Sequence, residues 1–191
     1  MTKKAKNTLR EAKKEADRRA NEAIKERDSE GRVIINMTVK DDANFLSVFS
    51  ENDTPVIAND VADFIESSAS SVVPGELLTL RIHSDCIDEQ EQTLYRKATK
   101  EFFTQKYIAN ERELKRNALI VLTLTLLGIF VLAFRVIFEY RTGSAIWSEV
   151  IDIMAWVFLW EAVDIGVFGS RSLKMKRLRY ISLISMNIEY V

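Results

Sequence analysis

The chain has 191 residues, enough for one domain plus a short extra module. Its 27 Lys and Arg against 28 Asp and Glu leave a net charge of −1, and two prolines with six glycines argue against a long disordered tract or a loop-rich fold. A single cysteine, Cys86, excludes an intramolecular disulfide and a cysteine-rich metal site.

Residues 1–28 read as a charged, Ala-rich helix. Ala5, Leu9, Ala12, Ala16, Ala20 and Ala23 fall on one helical stripe among ten basic and six acidic residues. A stripe of small residues packs weakly. The segment is therefore a solvated helix or one strand of a coiled coil. Met-Thr-Lys-Lys-Ala-Lys at the start has no apolar core and no cleavage site, so it does not read as a signal peptide.

Residues 32–116 read as an acidic α/β domain with a helical neck. Over 32–40, Val33, Ile35, Met37 and Val39 alternate with Ile34, Asn36 and Thr38, which predicts a strand. Phe45–Phe49 is apolar but too short to assign. Asn59 or Asp60 is the expected cap of a short helix over 61–66, followed by a loop over Ser67–Ser71 and Pro74-Gly75. Leu77–Ser84 is a second predicted strand. Asp88 and Glu91 have the spacing of a capping box at the start of a helix over 89–116. No breaker follows, so that helix is expected to run straight into the next segment.

Ala118–Phe134 holds 17 residues without a charge, and Val136-Ile-Phe138 extends the run past Arg135. At roughly 1.5 Å per residue, 118–138 spans a hydrocarbon core of about 30 Å. Residues 146–168 form a second apolar run, rich in Trp and Phe, that also carries Glu149, Asp152, Glu161 and Asp164. Each central carboxylate costs roughly 2.5–3.5 kcal/mol on insertion scales, so this run enters a membrane only with the first as its partner. The short 139–145 link, with Gly143, suits a tight helical hairpin. Arg112, Lys115 and Arg116 precede the first run, and Arg171, Lys174, Lys176, Arg177 and Arg179 follow the second. Lys and Arg favour the cytoplasm, so a multi-pass protein of the cell membrane with both termini cytoplasmic is expected. That location also suits an unpaired Cys86.

Residues 171–191 read as a basic tail and a C-terminal strand, with Ile184, Met186, Ile188 and Tyr190 alternating with polar residues. A two-stranded sheet alone is marginal. The last strand is therefore expected to join the strands of 32–40 and 77–84, which makes the apolar hairpin an insertion within one α/β domain. The predicted fold class is thus a two-helix transmembrane hairpin on a small cytoplasmic α/β domain.

Charge divides the chain sharply. Residues 41–91 hold twelve acids and one base, Arg81, whereas 92–117 and 171–191 each carry a net +4. Such a block disfavours nucleic acid, which demands a basic face. It would be repelled by anionic lipid while its basic flanks are drawn to it. A basic protein partner suits the acidic face. Membrane lipid and further copies of the chain complete the expected partners.

Ionisable residues inside a span are functional candidates by default, and four are singled out: Arg135, Asp152, Glu161 and Asp164. Arg135 and Asp152 fall at similar depth in a hairpin, where an ion pair would let both be tolerated. Glu161 and Asp164 share a helix face toward the cytoplasmic end. They either line an ion path in an oligomer or salt-bridge to Arg116 or Arg171. His83-Ser-Asp-Cys86 is the one place where His, Asp and Cys cluster, and neighbouring positions at a strand end do not guarantee a Cys/His pair. No phosphate-binding loop, dinucleotide fingerprint, nucleophile elbow, zinc set or calcium loop is present. No catalytic residue, metal ligand or cofactor is therefore assigned. The expected function is a membrane-anchored binding, scaffolding or sensing module, with a subunit of an oligomeric channel or transporter as the alternative.

Overall fold

A computed structural model describes residue 14 and residues 26–51, 54–142 and 145–191. The expected N-terminal helix lies outside the described residues, apart from Lys14 and the stretch 26–28. That stretch is not helical. Arg27 forms an antiparallel bridge with Val33, and the Ile34 N–H donates to the Glu26 carbonyl at 3.0 Å. The edge of a strand has unpaired backbone groups, and these residues satisfy some of them.

The chain forms two compact units, one of residues 1–106 with 178–191 and the other of 107–177. In the first, a parallel sheet orders its three strands β1 (Val33–Thr38), β2 (Leu78–His83) and β3 (Asn187–Tyr190) in sequence order. Val33 pairs with Leu78 and Thr38 with His83, while Thr79 pairs with Asn187 and Ile82 with Tyr190. The C-terminal strand therefore does join the other two. It is shorter than its alternation suggested, because the preceding helix runs on to Ile184. Central β2 buries Leu78, Thr79, Leu80 and Ile82, the near-continuous burial that a covered parallel sheet imposes.

Helix α1 (Asn59–Ser70) is twice the expected length and buries Ala62, Ile65 and Ala69. Its cap is Ala58, which offers no side-chain bond, so neither Asn59 nor Asp60 caps it; Asp60 sits in the first turn, where its charge suits the helix dipole. The serines expected to form a loop instead end the helix. Ser70 and Ser71 donate their hydroxyls to the carbonyls of Ser67 and Ser68 at 2.6 and 2.7 Å. Phe45 is buried and stacks on Tyr95 with ring centroids 4.3 Å apart. The loop beyond it is closed by a Leu46–Ile57 bridge and leaves Val48 and Phe49 90% and 86% exposed.

Helix α2 (Glu89–Thr142) runs 54 residues without a break, about 80 Å. Asp88 and Glu91 form the capping box, each side chain accepting the other's backbone N–H at 2.8 Å. Tyr95, Ala98, Thr99 and Phe103 are buried along its first turns. Helix α3 (Ala145–Val163) follows, then a π-helical stretch, Asp164–Gly169, and helix α4 (Ser170–Ile184). The basic tail is thus mostly helical up to Ile184, and the strand-like alternation takes effect only over Asn187–Tyr190. Among the described residues one helix, α2, is long and apolar enough to cross a membrane, and its apolar stretch is almost wholly exposed.

Candidate functional site

The second unit sets the intrahelical charges in a clear register. Asn110 is buried and donates its side-chain N–H to the Leu173 carbonyl at 3.0 Å, and Glu111 lies 2.7 Å from Arg177. A methyl group at Gly166 would lie 3.5 Å from Val121, and one at Gly128 would lie 2.8 Å from Leu159. Arg135 Nε lies 3.2 Å from Asp152. As the α2 numbers rise, their partners fall, so the two legs of this unit are antiparallel.

The contact seam has coiled-coil spacing. Asn117, Val121, Leu124, Gly128, Val131, Arg135 and Phe138 recur every three or four residues on α2 and are less exposed than their neighbours. Ser148, Asp152, Ala155, Leu159 and Ala162 do the same on α3. Gly128, Ser148, Ala155 and Ala162 are small and buried, which lets the backbones approach.

Arg135 and Asp152 meet as an ion pair, and Arg135 Nη1 also reaches Glu139 at 2.7 Å. One arginine thus serves two carboxylates. The register carries Glu161 opposite about residue 126, near the middle of the apolar 118–138 stretch rather than toward its end. Asp164 lies opposite about residue 123. Both are exposed, and neither has an ion-pair partner among the described residues. Arg116, one expected partner, instead lies 3.8 Å from Glu113. Asp164 also begins the π-helical stretch, a widening that is rare in helices and frequent at functional sites. Sequence reasoning missed that stretch; Gly166 and Gly169 within it are its one local signal.

In the first unit the His83–Cys86 cluster separates. His83 Nε2 lies 3.4 Å from the Asn36 side-chain oxygen, while Cys86 Sγ lies 3.1 Å from the Ser84 hydroxyl. Among the described residues no three of His, Cys, Asp and Glu gather to hold a metal ion.

An open cleft of about 550 Å³ lies at the C-terminal end of β1 and beside the start of α1. Met37, Phe45, Val61 and Phe64 give it an apolar floor; Lys40, Asp41 and Asp60 give it charge. Ligand sites of parallel sheets lie at this end of the strands. Neither periodicity nor motif marks the cleft, because it is made of a loop, a strand end and a helix start brought together by the fold.

Three helices of this unit share one carboxylate. Glu66 of α1 accepts from Lys106 of α2 at 3.0 Å and from the Tyr180 hydroxyl of α4 at 3.2 Å. Burial, reinforced by Glu66, pushes the Tyr180 phenol up to about 12. Burial and the hydrogen bond to Asp42 likewise raise Tyr95. The Thr79 hydroxyl, donating at 2.7 Å, holds Asp28 below the usual carboxylate range.

No known protein family, curated protein or solved structure matches the chain.

Proposed function

We propose that the chain is an integral membrane protein whose sheet-containing unit works as an anchored binding module. The observation that carries the anchoring is the apolar stretch of α2. Leu122, Leu126, Ile129 and Phe130 point outward along it, and on α3 Trp156, Val157 and Trp160 do the same. In water such a surface far exceeds what a soluble monomer exposes. In lipid it is the surface expected of a span. The apolar stretch of α2, free of acids over 118–138, enters first, and α3 brings its carboxylates in against it. The basic residues at 112–116 and 171–179 support an orientation with both ends cytoplasmic.

The cleft at the end of β1 gives the module a place to bind. Its apolar floor and acidic rim, with the exposed Val48-Phe49 tip on the same unit, suit a basic amphipathic segment. Cys86, the single and exposed thiol, offers the test of placement. In intact cells making the full chain, a membrane-impermeant maleimide should label Cys86 only after permeabilisation. Labelling of intact cells would reverse the orientation, and extraction of the protein by alkaline carbonate would remove the anchor. For binding, the reconstituted chain should take up a synthetic Lys/Leu amphipathic peptide. Asp41→Asn with Asp60→Asn should weaken that uptake several-fold; unchanged uptake would remove the acidic rim from the reading.

A second reading, a subunit of an oligomeric ion pathway, is favoured by one feature: Glu161, at mid-depth of the apolar stretch, lacks an ion-pair partner among the described residues. Cation flux into liposomes that disappears in Glu161→Gln would support it. Absence of flux from the parent chain would end it.

A further inference from the structure

We infer that the cleft at the end of β1 has a built-in occupant, the basic segment of residues 1–25 of the same chain, which competes there with any outside ligand. The inference rests on the reading of that cleft as a site for a basic amphipathic segment, and it names the segment that holds the site at rest.

The direction of the chain carries it first. The Asp28 N–H donates to the Arg32 carbonyl and the Gly31 N–H to the Asp28 carbonyl, both at 3.0 Å, so the chain turns tightly here. Gly31 has a φ of 78°, which glycine adopts without strain. Before the turn the chain is antiparallel to β1, with Arg27 opposite Val33 and the Glu26 carbonyl accepting from the Ile34 N–H. The Asn36 side-chain amide also donates to the Glu26 carboxylate at 2.6 Å. Followed backwards from Glu26, the chain therefore heads along the free edge of β1 toward its C-terminal end. The cleft lies at that end, where residues 37–41 line it.

Reach and charge then select the segment. From the level of Ile34 to that of Lys40 is about 20 Å of strand. An extended chain covers this in about six residues and a helix in about 13. Counted back from Glu26, residues between about 20 and 13 arrive at the cleft in either case. They include Lys13, Lys14, Arg18 and Arg19, with Ala16 and Ala20 of the small-residue stripe between and beside them. Residues 1–25 as a whole hold nine Lys and Arg against four Asp and Glu, a net +5. Residues 41–66 hold seven acids and no base. The rim residues Asp41 and Asp60 thus meet opposite charge, and alanines allow a close approach to Met37 and to the exposed ring of Phe64. A short tether also makes the local concentration of the segment millimolar, so even a weak contact is populated. An outside ligand must displace it, which makes the segment a brake on the cleft.

Cys86 reports on the cleft, since its Sγ lies 4.0 Å from the carbonyl of Val39, one of the lining residues. In the full chain in liposomes, Ala16→Cys should form an intramolecular disulfide with Cys86 in a glutathione buffer. The rate is read relative to exchange with free glutathione. Lys13→Gln, Lys14→Gln, Arg18→Gln and Arg19→Gln together should slow it about tenfold, as should Asp41→Asn with Asp60→Asn. Without the added cysteine, the same fourfold Gln variant should bind the synthetic Lys/Leu peptide about tenfold more tightly than the parent chain. A disulfide rate that neither set of substitutions changes, or a disulfide that links two copies instead, overturns the built-in occupant. So does equal peptide affinity of parent and Gln variant, and uptake of the peptide then leaves the cleft reading standing. Uptake by neither chain overturns that reading, and the inference with it.

Discussion

The two units of this chain invert one another. In the sheet-containing unit the core is built of large apolar side chains: Phe45, Ile65, Leu80 and Phe103 are buried. In the helical unit most of the buried positions described are small or polar, among them Gly128, Ser148, Ala155, Ala162 and Asn110, with Leu173 the large apolar exception. Its large apolar side chains, such as Leu126, Phe130, Trp156 and Trp160, point out. The first arrangement is what water selects, because removing apolar area from water is the main favourable term in folding. The second is what lipid selects, because apolar side chains gain nothing by leaving lipid, while small ones let helices approach and polar ones find partners. On the membrane placement proposed above, the same residue types play opposite parts in one chain, and the solvent around each unit decides which.

Substitutions of one chemical kind should therefore have opposite consequences in the two units. The largest effect is expected at Leu80, fully buried in β2. Leu80→Asp should cost on the order of 4 kcal/mol and unfold the sheet unit, since the charge has no partner there. Leu126→Ala, on the exposed face of α2, should change stability by less than about 0.5 kcal/mol. Urea unfolding followed by protease sensitivity of each unit reads both. Equal losses would erase the distinction.

Next comes the ion pair between the legs. Arg135→Leu strands Asp152 and should cost about 3 kcal/mol, whereas adding Asp152→Leu should recover most of it. Thermal denaturation in nanodiscs measures this cycle, and additive single effects would show that the pair is not coupled. At Gly128 a methyl group meets Leu159 at 2.8 Å, so something must shift. Gly128→Leu should lose about 1–3 kcal/mol of hairpin packing and Gly128→Ala less. A cysteine pair placed across the seam would report this as slower disulfide formation. Equal rates in both variants would place the close approach elsewhere.

The smallest expected effect sharpens the contrast from the sheet side. Tyr180→Phe removes one hydrogen bond to Glu66 and should cost about 1 kcal/mol. Its raised pKa fixes a pH dependence. The folded state holds the phenolic proton up to about 12, while the unfolded chain gives it up near the ordinary value of 10. The associated stability is complete below pH 10 and is lost as pH rises from there to about 12. Tyr180→Phe should flatten that slope, and an unchanged slope would assign it to other groups.

Local and periodic signals were legible in the sequence. The alternation in β1 and β2, the Asp88–Glu91 box and the uninterrupted helix through the apolar stretch all lie within short windows. The joining of β3 to β2 was inferred from what a two-stranded sheet lacks, although nothing local says where Ser170–Ile184 stops being helix. What stayed hidden depends on distant partners. The clasp of Glu66 with Lys106 and Tyr180, the cleft between β1 and α1, and the depth of Glu161 each need a register between segments. The Arg135–Asp152 pair was legible because a tight hairpin fixes that register by counting.

Lipid is the solvent proposed for the helical unit, and the chain's own tryptophans test that placement most directly. Trp147, Trp156 and Trp160 are all exposed on α3. The hairpin register puts Trp160 and Trp156 near the middle of the apolar stretch and Trp147 at its outer end. Each should be left as the single tryptophan in liposomes made with lipids brominated at different depths. We expect Trp160 and Trp156 to be quenched most by bromine deep in the acyl chains and Trp147 by bromine near the headgroups. Quenching of all three by aqueous acrylamide, with none by brominated lipid, would contradict the account.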